Sequence, residues 1–195
     1  MTQFRPNLSE WLSAELWPQG SHADTPKVYA LLDGARDPRI EPLIRNSQAD
    51  FCCLYAGELA PSLSAAAPYL LRLDPQLPYT GQLFEQSWGQ SWGCFVTAPA
   101  PITLDELRGH FRSLLRVTDP DGNLLVFRFY DPRVLRVYLP TCTPQERAAI
   151  FGPASKLIAE AGNGHSLIVY PADPAGGPSA RVSGWPSAQL PESIQ

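Results

Sequence analysis

Val28-Tyr29-Ala30-Leu31-Leu32-Asp33 is the stretch whose reading decides the fold. Five consecutive apolar residues closed by an aspartate read as a buried strand. Asp37-Pro38-Arg39 follows, in which Asp37 can cap a helix and Pro38 fits its first position. Ile40, Leu43 and Ile44 supply that helix's apolar face. Further strands are predicted at Phe51–Tyr55, Tyr69–Leu73 and Trp92–Thr97, and a helix at Gly81–Gly89. Glu58–Pro68, rich in alanine and interrupted by prolines, receives no assignment. Such alternation of strand and helix favours a mixed α/β or α+β layer over a helical bundle.

Outward from this core, Asn7 and Glu10 form a capping box for a helix with Leu8, Trp11, Leu12 and Leu16 at helical spacing. Pro18 and Gly20 end it. Thr103 and Glu106 begin the clearest helix, Leu104–Leu115. Asp119-Pro120-Asp121-Gly122 has turn chemistry and joins Arg116–Thr118 to a strand Leu124–Tyr130 in a hairpin. A second Asp-Pro-Arg, Asp131–Arg133, starts a short helix, and Thr143-Pro144-Gln145-Glu146 opens another that Gly152-Pro153 closes. Ser166–Tyr170 is a last strand, and the residues from Pro171 onward, rich in proline and glycine, form a tail that is mobile unless Trp185 docks. The expected architecture is α+β: a small mixed β-sheet with flanking short helices. One domain spans residues 1–170, divisible into lobes 1–100 and 101–170, with a tail at 171–195.

Composition narrows the function. The 195 residues carry a net charge of −4, and 44% are hydrophobic, enough for a sizeable core. The 21 prolines exclude long helices and coiled coils. The acidic balance argues against non-specific nucleic-acid binding, which draws on neutralised phosphates. No apolar run approaches the roughly 18–20 residues of a membrane span. Met1–Pro18 lacks the basic start and apolar stretch of a secretory signal. Cys52, Cys53, Cys94 and Cys142 match no zinc or redox spacing and read as free thiols in a reducing cytoplasm.

A search for catalytic chemistry yields little. His22, His110 and His165 are scattered, and no nucleophile elbow, phosphate loop, dinucleotide fingerprint or metal motif occurs. No catalytic residue, metal or cofactor is therefore expected. His110, four after Glu106, reads first as a surface pair; a thiol dyad with Cys94 or Cys142 has no support from spacing. Arginine is the conspicuous feature. Of 15 cationic residues only Lys27 and Lys156 are lysine. Arg108, Arg112 and Arg116, four apart, would form one stripe on a continuous helix, and Arg128, Arg133 and Arg136 extend the pattern. The stripe reads either as a solvated face or as a docking surface for an acidic partner through bidentate pairs. Trp88 and Trp92 among small residues, with Phe127, Phe129 and Tyr130, supply aromatics for the core or for an interface.

Asp119–Gly122 followed by Leu125-Val126-Phe127-Arg128-Phe129-Tyr130-Asp131-Pro132-Arg133-Val134-Leu135 resembles the signature of the effector-chaperone (adaptor) domain of bacterial type VI secretion systems. Tyr29–Arg36, Trp88–Phe95 and Leu104–Leu115 fit it more weakly, and the similarity runs from about Val28 to Pro153. The resemblance implies a non-enzymatic, cytoplasmic bacterial protein that binds a cognate effector and helps load it onto the VgrG spike. On this reading Arg108, Arg112, Arg116, Trp92, Arg128, Tyr130 and Arg133 are candidate partner-binding residues. Asp33, Asp119, Gly122, Asp131 and Pro132 are structural signature positions. Arg128 or Arg133 can alternatively reach back to a carboxylate such as Asp33 while Asp131 caps its helix. The competing readings are a small cytosolic hydrolase with a thiol or carboxylate site, and an immunity-type protein that blocks a toxin.

Overall fold

The computed structural model describes residues 7–18, 25–118, 121–173 and 180–185. Its centre is a seven-stranded sheet built from β1 (Lys27–Asp33), β2 (Phe51–Cys53), β3 (Pro68–Leu73), β4 (Gly93–Ala98), β7 (Lys156–Glu160), β8 (Ser166–Pro171) and β9 (Arg181–Gly184), in the order β2-β3-β1-β4-β7-β8-β9. Where the sequence suggested a small mixed sheet, all six pairings are antiparallel. The sheet is continuous across residue 100, because Phe95 of β4 pairs with Ile158 of β7. A separate two-stranded ribbon joins β5 (Arg116–Thr118) to β6 (Leu124–Val126).

β1 lacks polar alternation because it is covered on both faces. Val28, Ala30 and Leu32 pack into one core with Trp11, Leu12, Ile40, Leu83 and Phe84, drawn from α1 (Leu8–Leu16), α2 (Ile40–Asn46) and α4 (Pro78–Ser87). Tyr29 and Leu31 point the opposite way, into a core with Leu107, Phe111, Leu135 and Phe151 from α5 (Leu104–Ser113), α6 (Pro132–Tyr138) and α7 (Pro144–Phe151). The result is an α+β sandwich with the sheet between two helical layers. None of the described helices is long and apolar enough to cross a membrane.

The three capping boxes read from the sequence all form, at Asn7/Glu10, Thr103/Glu106 and Thr143/Glu146. Several boundaries differ. α2 begins at Ile40, not at Pro38, because Asp37 and Pro38 are used in a preceding turn closed by the Ile40 N–H on the Asp37 carbonyl at 3.1 Å. β6 stops at Val126 rather than Tyr130, since Phe129 and Tyr130 turn into the core. A short helix, α3 (Pro61–Ala65), occupies the unassigned alanine-rich stretch, and β7 and β9 were not anticipated. In the Pro/Gly-rich region β9 closes one sheet edge. Trp185 stacks on Trp11 with 6.4 Å between ring centroids, and its N–H donates to the His165 carbonyl at 2.7 Å. Residues 174–179 and 186–195 of that region, like Gly20 and His22, lie outside the described residues.

Candidate functional site

β1 ends where its last residue, Asp33, is held by a hydrogen bond from its N–H to the Trp92 carbonyl at 2.8 Å. The carboxylate, only 2% exposed, accepts from Ala35 N–H at 3.2 Å and from Arg128 Nη1 at 3.2 Å. Residues 95 apart in sequence are thereby latched together, and Arg128 is the arginine that reaches back. Burial pushes the Asp33 carboxyl above its ordinary value, against the opposing pull of Arg128. The neighbouring Tyr130 phenol is likewise pushed up by burial, with the Asp33 carboxylate adding to the effect.

Asp131, 4% exposed, is the second buried carboxylate. It caps α6 by accepting the Arg133 N–H at 2.9 Å, with Pro132 at the first turn where its missing N–H costs nothing. The same carboxylate clasps the Arg133 guanidinium, Nε to Oδ1 at 2.9 Å and Nη2 to Oδ2 at 2.5 Å. Burial raises the Asp131 carboxyl, but the Arg133 hydrogen bonds and charge outweigh it and hold the group below the ordinary aspartate range. Asp37-Pro38-Arg39 adopts the same self-clasp: Asp37 accepts the Arg39 N–H at 2.9 Å and both guanidinium nitrogens, Nε at 2.9 Å and Nη2 at 2.7 Å. Hydrogen bonding by Arg39 lowers the Asp37 carboxyl to about 2. The Arg39 guanidinium lies 5.1 Å over the Trp92 ring. The repeated tripeptide is thus one local device used twice, once at a buried aspartate and once nearer the surface.

The remaining arginines divide sharply. Arg108 Nε donates to the Cys53 carbonyl at 3.0 Å, tying α5 to β2, and Arg136 Nη1 donates to the Glu160 carbonyl at 2.8 Å. The side chains of Arg112 and Arg116 are exposed and make no hydrogen bond or ion pair among the described residues. The expected stripe of three does not exist as one face, because α5 ends at Ser113 and Arg116 belongs to β5. Trp92 and Tyr130, candidates for an exposed aromatic surface, are both buried and therefore present no ring to a partner. Gly122 sits in the hairpin turn with φ of 87°, a conformation suited to glycine. Asp119 lies outside the described residues.

Groups with reactive potential are engaged in structure. His110 Nε2 is 2.9 Å from the Ile150 carbonyl, bridging α5 to α7. Gly152 (φ of 51°) makes room for that ring, since a Cβ there would lie 2.3 Å from His110 Cε1. Burial pushes the Cys94 thiol up to about 12 and raises Cys142 as well, so neither is an activated nucleophile. A buried glutamate that the sequence did not single out, Glu160, accepts the Gly89 N–H at 2.7 Å and the Ser91 N–H and hydroxyl at 3.1 and 2.8 Å. It holds the Trp88–Trp92 turn in place.

Sequence reasoning also missed the apolar residues that stay outside. Leu124 and Val126 are 62% and 64% exposed, Val137 on α6 is 74% exposed, and Val117 and Leu125 are exposed too. In the sequence they look like any strand and helix core. The signal available was the brevity of the hairpin, since two three-residue strands cannot bury both faces.

Among curated proteins and among solved structures, nothing matches the chain. A family model described as a domain of unknown function, DUF4123, matches residues 28–149. That span runs from the first residues of β1 into α7, so it takes in both buried aspartates, the latch and the hairpin.

Proposed function

We propose that this chain, which belongs to the DUF4123 family through a match covering more than half its length, is a non-enzymatic adaptor that binds a cognate type VI effector in the producing cell and promotes its loading onto the VgrG spike. The observation that carries the reading is the concentration of uncovered apolar surface. Of the eight large hydrophobics exposed among the described residues, five (Val117, Leu124, Leu125, Val126 and Val137) fall within 21 residues of sequence, next to Arg112 and Arg116. Isolated exposed apolar residues are ordinary, but clustered ones beside unpaired arginines have the composition of a protein interface. The resemblance of the Asp119–Leu135 block to effector-chaperone domains supports the same reading. So does the engagement of His110 with the Ile150 carbonyl and the raised Cys94 and Cys142 thiols, which count against the hydrolase alternative.

The test is co-expression with any effector toxin encoded beside this gene. The adaptor should co-purify with the toxin, raise its soluble yield and be required for its export. Unchanged solubility together with unchanged secretion overturns the reading. Neutralisation of the toxin in a recipient cell, without any effect on export, would instead establish the immunity-type alternative.

A further inference from the structure

The β5–β6 ribbon presents its most open face in a particular pattern. Arg116 pairs with Val126 and Thr118 with Leu124, and cross-strand partners share a face, so one side carries Arg116, Thr118, Leu124 and Val126. Leu124 and Val126, two residues apart, stand about 7 Å from each other along the strand, the spacing of alternate side chains on another strand. The main-chain edges of this ribbon pair with no other strand among the described residues. An isolated hairpin is marginal in water, and a third strand is what stabilises it.

Charge specifies the occupant. Twelve arginines are described, and the side chains of nine of them hydrogen-bond within the chain: Arg36, Arg39, Arg45, Arg108, Arg128, Arg133, Arg136, Arg147 and Arg181. Of the other three, Arg112 and Arg116 flank the start of the ribbon, and Arg72 lies on β3. An overall acidic chain thus keeps a local pair of guanidinium forks uncommitted beside its barest apolar strand. A second copy of the chain does not suit this face, because a two-fold pairing brings the same patch of both copies together and gathers four uncommitted guanidinium groups in one interface.

Resting on the adaptor reading, we infer that the β5–β6 ribbon is the client-docking element and that it takes an acidic, extended client segment with apolar residues at alternate positions. The segment adds to the ribbon as a further strand. Its apolar side chains cover Leu124 and Val126, and carboxylates flanking them on that same face pair with Arg116 and with Arg112.

The probe is any full-length effector toxin encoded beside this gene, titrated against the full chain by calorimetry. Leu124→Glu/Val126→Glu and Arg112→Glu/Arg116→Glu should each weaken binding at least tenfold, whereas Arg72→Glu, a control on β3, should stay within twofold. Replacing the client segment's carboxylates with lysine should restore binding to the Arg112→Glu/Arg116→Glu variant. Backbone amides at 116–118 and 124–126 of the unaltered chain should gain hydrogen-exchange protection in the complex, a readout that holds even if a variant fails to fold. In a scan of overlapping client peptides, the bound ones should be acidic with apolar residues at alternate positions. Absence of any binding by the unaltered chain overturns the adaptor reading and this inference with it. Binding that survives both double substitutions, unprotected ribbon amides, or bound peptides that are basic or carry helical periodicity overturn the docking inference alone.

Discussion

Residues 121–126 and 128–135 are adjacent in the chain and belong to one sequence block, yet they obey opposite physics. In the second half, Phe129, Tyr130, Pro132 and Leu135 are buried, Asp131 caps a helix and holds Arg133, and Arg128 is latched to Asp33. In the first half every residue is exposed, including three consecutive apolar ones. The contrast shows how a small protein can present a binding element without weakening its core. The ribbon is rooted, through the Phe127 N–H on the Leu115 carbonyl at 2.9 Å and through Phe127 packing edge-on to Tyr138, in a segment whose polar groups are satisfied inside the fold. Substitutions in the two halves should therefore separate stability from partner binding.

The largest expected effect lies in the buried half. Phe129 is fully buried and packs against Phe111 and Tyr130 with ring centroids 5.5 and 5.4 Å away. Phe129→Ala should cost roughly 3–5 kcal/mol in urea unfolding, the range for deleting a core phenyl ring. A loss near zero would mean that this half does not anchor the block. Asp131→Ala comes next. It removes a helix cap and both charge-assisted bonds to Arg133, whose side chain is half exposed and can be rehydrated, so about 2 kcal/mol is expected.

The two buried aspartates should then move apart with pH. Asp131 lies below the ordinary value, so its contribution is present above about pH 4 and is lost as pH falls through its lowered folded value. Asp33 lies above the ordinary value, so its contribution is fullest below about pH 4 and is lost as pH rises through its raised folded value. Asp131→Asn should accordingly destabilise most at pH 7 and least near pH 3. Asp33→Asn should compare more favourably with the unaltered chain at pH 7 than near pH 3. Urea midpoints measured across that range would check the pair, and parallel slopes would contradict the opposed environments.

How much of this the sequence disclosed depended on how local the physics was. Capping boxes were legible because donor and acceptor sit three residues apart, and all three form. The Asp131 cap and the reach of Arg128 to Asp33 were legible as possibilities, because an Asp-Pro-Arg run and a strand-ending aspartate limit the available partners. The anchoring role of Glu160 was not, since it joins residues about 70 apart through two backbone N–H groups and a serine hydroxyl that carry no pattern. β9 escaped for a related reason: Arg-Val-Ser-Gly pairs with β8 through main-chain groups, and its only large apolar side chain, Val182, is exposed. Burial was the other blind spot. Trp92 and Tyr130, candidates for an exposed surface, lie inside, while Leu124–Val126, read only as part of a hairpin strand, lie outside, the reverse of what candidate surface and apolar strand would suggest.

That reversal leads to the smallest effect on stability and the most informative one. Leu124→Glu/Val126→Glu places two carboxylates where the side chains are already more than three-fifths in water, so little apolar burial is forfeited. Each sits on the same face as Arg116, which can partly offset the added charge. The change in unfolding free energy should stay within about 0.5 kcal/mol, the range for surface substitutions away from buried features. If these residues instead belong to a packed face, the double substitution would bury charge against apolar neighbours and cost several kcal/mol. Near-native stability with lost client binding is what a presented ribbon requires. A large loss of stability would make residues 121–126 a continuation of the buried half and dissolve the distinction between the two.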